Sequence, residues 1–308
     1  MSQPAAYNLR IAIPLVLLST IGYGLNPPFA RYAFENGVPV LTSSLARSLA
    51  LLAFTAILVT VMRSGFKVQA HLRKFVFLMG LCSAAMTLGY FSAVAFIPVP
   101  IATIIFFTFP IVILLVSPLI EGNRIAPKRL AMVFIAFGGL LLVIGPRFDS
   151  LDWRGLVLAG IAMLGVASSF FIGRKISEVS PNTIGFWTHI IGVPIIAVVI
   201  VIFGGSEAFS TLLDPFVSNS AAVFSVVAMS LLYVLAFQSM LSCLRHAPAS
   251  AVAPFFYAEP VISIASSWVL LGQVLEPIQV VGFVILLIAL FGSAWVGGER
   301  PTRSAVKP

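Results

Sequence analysis

Charge is what this sequence has least of. Only 9% of its 308 residues are Asp, Glu, Lys or Arg, where a soluble domain carries about a quarter. Cysteine is nearly absent as well. The two present, Cys82 and Cys243, lie in separate apolar stretches and form no CxxC pair. That excludes a disulfide framework and a thiolate metal site and leaves them as small buried hydrophobes. With three histidines and no HExxH, no metal site is expected. There is no GxxxxGK[ST], so the chain is not a self-contained ATP-driven pump, and no cofactor is called for. An intramembrane enzyme would need a nucleophile with a base, or a second buried acid. Neither a GxSxG nor a partner acid for Glu259 occurs.

What remains is apolar. Hydrophobic residues make up 60% of the chain and the mean hydropathy is +1.09. Several runs reach about 20 residues, enough to cross a hydrocarbon core of about 30 Å. The chain therefore reads as an all-α integral membrane protein. Breaks at charges and at Pro, Gly or Asn give ten transmembrane helices at 11–34, 40–62, 74–96, 99–120, 127–146, 153–174, 181–204, 218–243, 248–271 and 277–297. The first run is read as a permanent helix and not as a cleaved signal peptide. Spans 3 and 4, separated by little more than Pro98, are expected to form a tight hairpin.

The net charge of +8 might suggest nucleic acid, but the bases are sorted by membrane side. With the N-terminus cytoplasmic, 14 Lys and Arg fall inside and three, Arg31, Arg147 and Arg154, fall outside. This asymmetry predicts two cytoplasmic termini and no nucleic-acid partner. The tail 298–308 reads as a polar, basic cytoplasmic end.

The spacing hides a repeat. A shift of 150 residues lays Pro98 on Pro248, Pro110 on Pro260, Gly122 on Gly272 and Pro127 on Pro277. Shifts of 143 and 142 lay Gly22 on Gly165 and Arg47 on His189. The unit is five helices, 11–146 and 153–297. Five is odd, so the second copy is upside down relative to the first. Two inverted five-helix repeats around a central cavity are the architecture of many secondary transporters. Within them Pro98, Pro110, Gly122, Pro248, Pro260 and Gly272 are read as structural residues.

The closing pair of each half, PIVILLVSPLIEGNRIAPKRLAMVFIAFGGLLLV and PVISIASSWVLLGQVLEPIQVVGFVILLIALFGSAWV, resembles the EamA family of the drug/metabolite transporter superfamily. The resemblance covers essentially the whole chain. It implies an exporter of small metabolites, amino acids foremost, in the bacterial inner membrane; a monomer is expected. The sequence departs from the family pattern where an acid usually follows Leu-Gly. Asn123 and Gln273 stand there, and Glu121 is displaced by one position.

The candidate site rests on polar residues inside the spans. Glu259 sits mid-span beside Pro260, and a charge there costs about 2.5–3.5 kcal/mol. It is expected to line the cavity and to be the coupling group if protons are a partner; locking helices together is the alternative. Arg47 could snorkel, pair with Glu259 or hold a substrate carboxylate. His189 could titrate near neutral pH or be satisfied by a neighbouring hydroxyl. Asn26, with Pro27 and Pro28, marks an expected interruption in span 1. Tyr23, Tyr90, Trp187, Tyr233, Tyr257 and Trp268, with Ser168, Ser169 and Gln238, are candidates for the cavity wall. Exchange of phosphorylated or nucleotide-linked sugars is a weaker alternative, because it needs several buried bases and Arg47 alone is clearly buried.

Overall fold

Hydrocarbon offers the backbone no hydrogen-bond partners, so each apolar run must coil on itself. The computed structural model describes residues 8–122, 125–145, 151–204, 219–271 and 276–296. Their helices are α1 (Leu9–Glu35), α2 (Val40–Val61), α3 (Arg73–Ala93), α4 (Val99–Phe106), α5 (Phe109–Ile120), α6 (Pro127–Ile144), α7 (Trp153–Lys175), α8 (Pro181–Gly204), α9 (Ser220–His246), α10 (Ala249–Val252), α11 (Ala258–Leu271) and α12 (Pro277–Val296). A 3-10 segment, Ala253–Tyr257, joins α10 to α11. Gly272 and the tail 298–308 lie outside the described residues, as do Asn123, Gln273 and Arg147.

Helix α4 with α5 makes span 4, and α10 to α11 makes span 9. Among the described residues, nine segments are long and apolar enough to cross a membrane; a shorter apolar helix in α12 supplies the tenth. The outward faces are greasy, with Leu119, Ile288 and Val61 exposed. The protein is an integral membrane protein, its described residues forming nine apolar segments of spanning length and a shorter tenth.

The two halves pack by one rule. Exchanging α1 with α7, α2 with α8, α3 with α9, span 4 with span 9 and α6 with α12 maps the principal helix packings onto one another. Helix α1 packs on α9, and α7 on α3; α2 packs on α8, and α6 on α12. The correspondence reaches single atoms. A β-carbon on Gly22 would lie 2.7 Å from the Leu232 carbonyl, and one on Gly165 would lie 2.9 Å from that of Cys82. Gly165 is Gly22 shifted by 143, and Leu232 is Cys82 shifted by 150. The contacts Gly22–Leu232 and Ala12–Cys243 run antiparallel along α1 and α9, as an inverted second copy requires.

Both central spans break at matching places. Span 4 loosens at Phe107 and Thr108, just before Pro110. Span 9 passes through the 3-10 segment just before Glu259 and Pro260. A proline near the start of each second piece has no N–H to give to the preceding turn. Pro98 and Pro248 take the same role at the span starts, with φ/ψ of −56°/140° and −69°/157°. Gly122 closes α5 at φ +68°, in the left-handed region open to glycine.

Two expectations need correction. Span 1 is not interrupted: α1 runs unbroken from Leu9 to Glu35 through Pro27 and Pro28. A proline removes a single N–H from the ladder, and here the helix tolerates it; the glycines Gly22 and Gly24 serve close packing instead. The link between spans 3 and 4 is also longer than Pro98 alone, spanning residues 94–98.

Candidate functional site

The breaks in spans 4 and 9 place aromatic residues at the centre. Phe109 lies 5.5 Å from Phe170 and 6.0 Å from Phe256, centroid to centroid. Tyr23 on α1 reaches Phe256 at 6.2 Å and Tyr233 on α9 at 6.1 Å. These rings belong to the main core of the bundle.

Set into this wall are a cation and an acid. The Arg47 guanidinium lies 4.7 Å from the centroid of Tyr233 and 5.8 Å from that of Phe91. Its Nη1 donates to Asn26 Oδ1 at 3.4 Å, and Asn26 Nδ2 donates to the Met229 carbonyl at 2.7 Å. Arg47 Nε is buried with no partner. Glu259, second residue of α11, makes no hydrogen bond or ion pair among the described residues. The pairing of Arg47 with Glu259 is therefore not a salt bridge, although the Glu259 carbonyl lies beside Gly24, two residues from the Asn26 that Arg47 reaches. A guanidinium and a carboxylate share one region without contact, and each retains bonding capacity for a third party.

His189 is satisfied. Its Nδ1 donates to the Gly185 carbonyl at 2.9 Å, which leaves Nε2 to accept the Tyr233 hydroxyl at 3.1 Å. Arg47 and His189, repeat mates by sequence, thus converge on one tyrosine.

The remaining candidates scatter. Tyr90 bonds Thr103 at 2.8 Å and stacks edge-on with Phe106. Tyr257 is fully buried with an unpartnered hydroxyl. Gln238 has both amide atoms buried and unpartnered, facing Gly185 and Thr55. Three do not join the centre. Trp187 donates to the Phe66 carbonyl at 2.9 Å, pinning the loop after α2. Ser168 lines a lateral cleft between α3 and α7 with Cys82 and Leu81. Trp268 is 57% exposed on the outer face. Ser169 is spent on the Gly165 carbonyl at 2.8 Å. Phe91 and Phe256 were missed, because an aromatic in an apolar run carries no sign of which face it takes.

A ten-helix bundle of two repeats, with charged and aromatic residues gathered between them, is the architecture of a membrane transporter for small molecules. The model of the EamA-like transporter family matches residues 10–145 and again 153–295, and the chain belongs to that family. It is similar to a riboflavin transporter of Rhizobium johnstonii, 28% identical over 107 residues; that stretch is 35% of this chain and 35% of the relative. The chain thus matches about a third of that relative's length. A crystal structure of another protein superposes with a TM-score of 0.73 at 16% identity, covering 92% of this chain and 97% of that one. That likeness concerns the fold.

Proposed function

We propose that the protein is a secondary transporter that exports a small amphipathic metabolite by alternating access, with amino acids as the leading substrate class. The observation that carries this reading is Arg47, held among rings in the centre with no acidic partner in contact among the described residues. A substrate carboxylate would take the guanidinium, its ammonium group would take Glu259, and its side chain would meet Tyr23, Tyr233 and Phe256. The basic asymmetry of the loops supports two cytoplasmic termini in the inner membrane, and a monomer suffices because the path runs between the two halves of one chain.

Glu259 is the candidate coupling group of a proton antiport; uncoupled diffusion is the rival mechanism. In proteoliposomes, Glu259→Gln should abolish the response of transport to an imposed pH gradient. Wild-type rate and pH response in that variant would remove the carboxylate from the coupling role.

A planar heterocycle is a second reading, favoured by the three rings and by the riboflavin transporter to which part of the chain is similar. Thermal stabilisation by aromatic amino acids but not by riboflavin supports the first reading, and the reverse supports the second. Sugar phosphates fit less well, because among the bases of the described residues Arg47 alone lies in the centre.

A further inference from the structure

At one end of the bundle a charged clamp joins the two halves where α5 ends and α10 begins. Glu121, just after α5, accepts the Ala249 N–H at 2.7 Å on one carboxylate oxygen and the Ser250 hydroxyl at 2.8 Å on the other. Arg129 of α6 donates to the Ala251 carbonyl at 3.1 Å. First-half side chains thus hold the short helix α10 by its amides and by a carbonyl. Helix α10 leads directly through the 3-10 segment to Glu259.

Repeat symmetry specifies what the opposite end would need. The 150-residue shift maps Glu121 to Leu271, Ala249 to Val99 and Ser250 to Pro100. Leucine has no acceptor, and proline has neither an N–H nor a hydroxyl. The clamp is absent from the mirror position by composition, so the two ends of the path are chemically unequal.

We propose that the Glu121–Ser250 contact is a latch that keeps this end of the transport path shut and makes the state closed at this end the resting one. It must break for that end to open. The inference rests on the alternating-access reading above and adds to it which end is held and by what. Charge-assisted bonds to backbone and hydroxyl groups are the stronger class of hydrogen bond, whereas the bonds that Thr183 and Trp187 make across the halves to the Gly65 and Phe66 carbonyls have neutral donors.

The chain carries its own reporter. Cys243 on α9 is buried, its thiol directed at the Ala12 carbonyl at 3.2 Å. Ala251, Val252 and Phe255 line the same small cavity as Cys243. Displacement of α10 uncovers this thiol. Cys82 faces the lateral cleft between α3 and α7, away from the latch, and reports general loosening.

The test is N-ethylmaleimide modification of the full chain in lipid nanodiscs, with each cysteine quantified by peptide mass spectrometry. Glu121→Gln should raise the Cys243 rate about tenfold, and Ser250→Ala by a smaller factor. The double variant should fall short of the product of the two, because both remove one contact. The Cys82 rate should stay constant throughout. If Glu121→Gln does not accumulate, Ser250→Ala alone still decides the matter. An unchanged Cys243 rate, or a rise matched by Cys82, overturns the latch. No substrate enters the assay, so a failed substrate search and a failed latch are separate results.

Discussion

The guanidinium of Arg47 lies 4.7 Å from the ring centroid of Tyr233, whose hydroxyl is bonded to His189 at 3.1 Å. The cation is held by a ring face and one long bond to Asn26, so its planar edge is only partly used. Lysine would keep the charge and lose both the stacking and the two-pronged geometry. Arg47→Lys should weaken substrate binding about tenfold, or ~1.4 kcal/mol. Tyr233→Phe keeps the ring under the guanidinium and removes only hydroxyl bonds, those to His189 and Ser83, so its effect should be smaller. Titration of substrate-induced melting shifts measures both.

The glycine contacts predict a matched pair of stability effects. Gly22→Leu and Gly165→Leu each drive a side chain into the backbone of the facing helix, and each should cost roughly 1–3 kcal/mol. At Gly138 and Gly160 nothing lies within 4 Å of an added β-carbon. Alanine there should be neutral or stabilise by about 0.5–1 kcal/mol. Melting in detergent compares the four.

Gln238 gives a prediction of opposite sign. Its carboxamide is buried without a partner on either atom. Gln238→Leu should therefore raise stability, by about 1–3 kcal/mol. If binding falls while the melting temperature rises, the amide reads the substrate; if binding is unchanged, it is a structural remnant.

A pH effect is expected where α7 begins. Asp152 caps that helix, accepting the Arg154 N–H at 2.9 Å and pairing with the Arg154 side chain at 2.7 Å. Hydrogen bonds from Arg154 hold the Asp152 carboxyl below its usual range. The folded state thus favours the carboxylate. Its stabilising contribution is complete above the unfolded range near about 3.9 and is lost as pH falls through the lower folded value. The melting difference between wild type and Asp152→Asn should be constant from roughly pH 7 to 5 and shrink below about pH 4.

Much of the architecture was legible because its signals are local and periodic. Span lengths follow hydropathy, and the offsets of Pro98, Pro110 and Gly122 carry the repeat. Gly22 and Gly165, matched loosely in sequence, turn out to make the same contact in the two halves. The site was legible only in part. Arg47, Asn26, Tyr23, Tyr233 and His189 come together, because polar residues in apolar runs face inward. Trp187, Ser168 and Trp268 do not, because amphipathic rings and small hydroxyls are also tolerated at loops and lipid-facing clefts. The uninterrupted α1 shows that proline pairs mark a local loss of donors and not necessarily a break. The cap made by Glu121 could be found only in three dimensions, since its partners lie about 128 residues away.

The central claim is that residues around Arg47 are reached from each side of the membrane in turn. The direct measurement places one cysteine at Tyr23, with Cys82 and Cys243 replaced by serine. A membrane-impermeant thiol reagent is then applied separately to each face of oriented proteoliposomes. The account predicts modification from either face alone, with substrate slowing both. Modification from neither face, or from one face only, would contradict it.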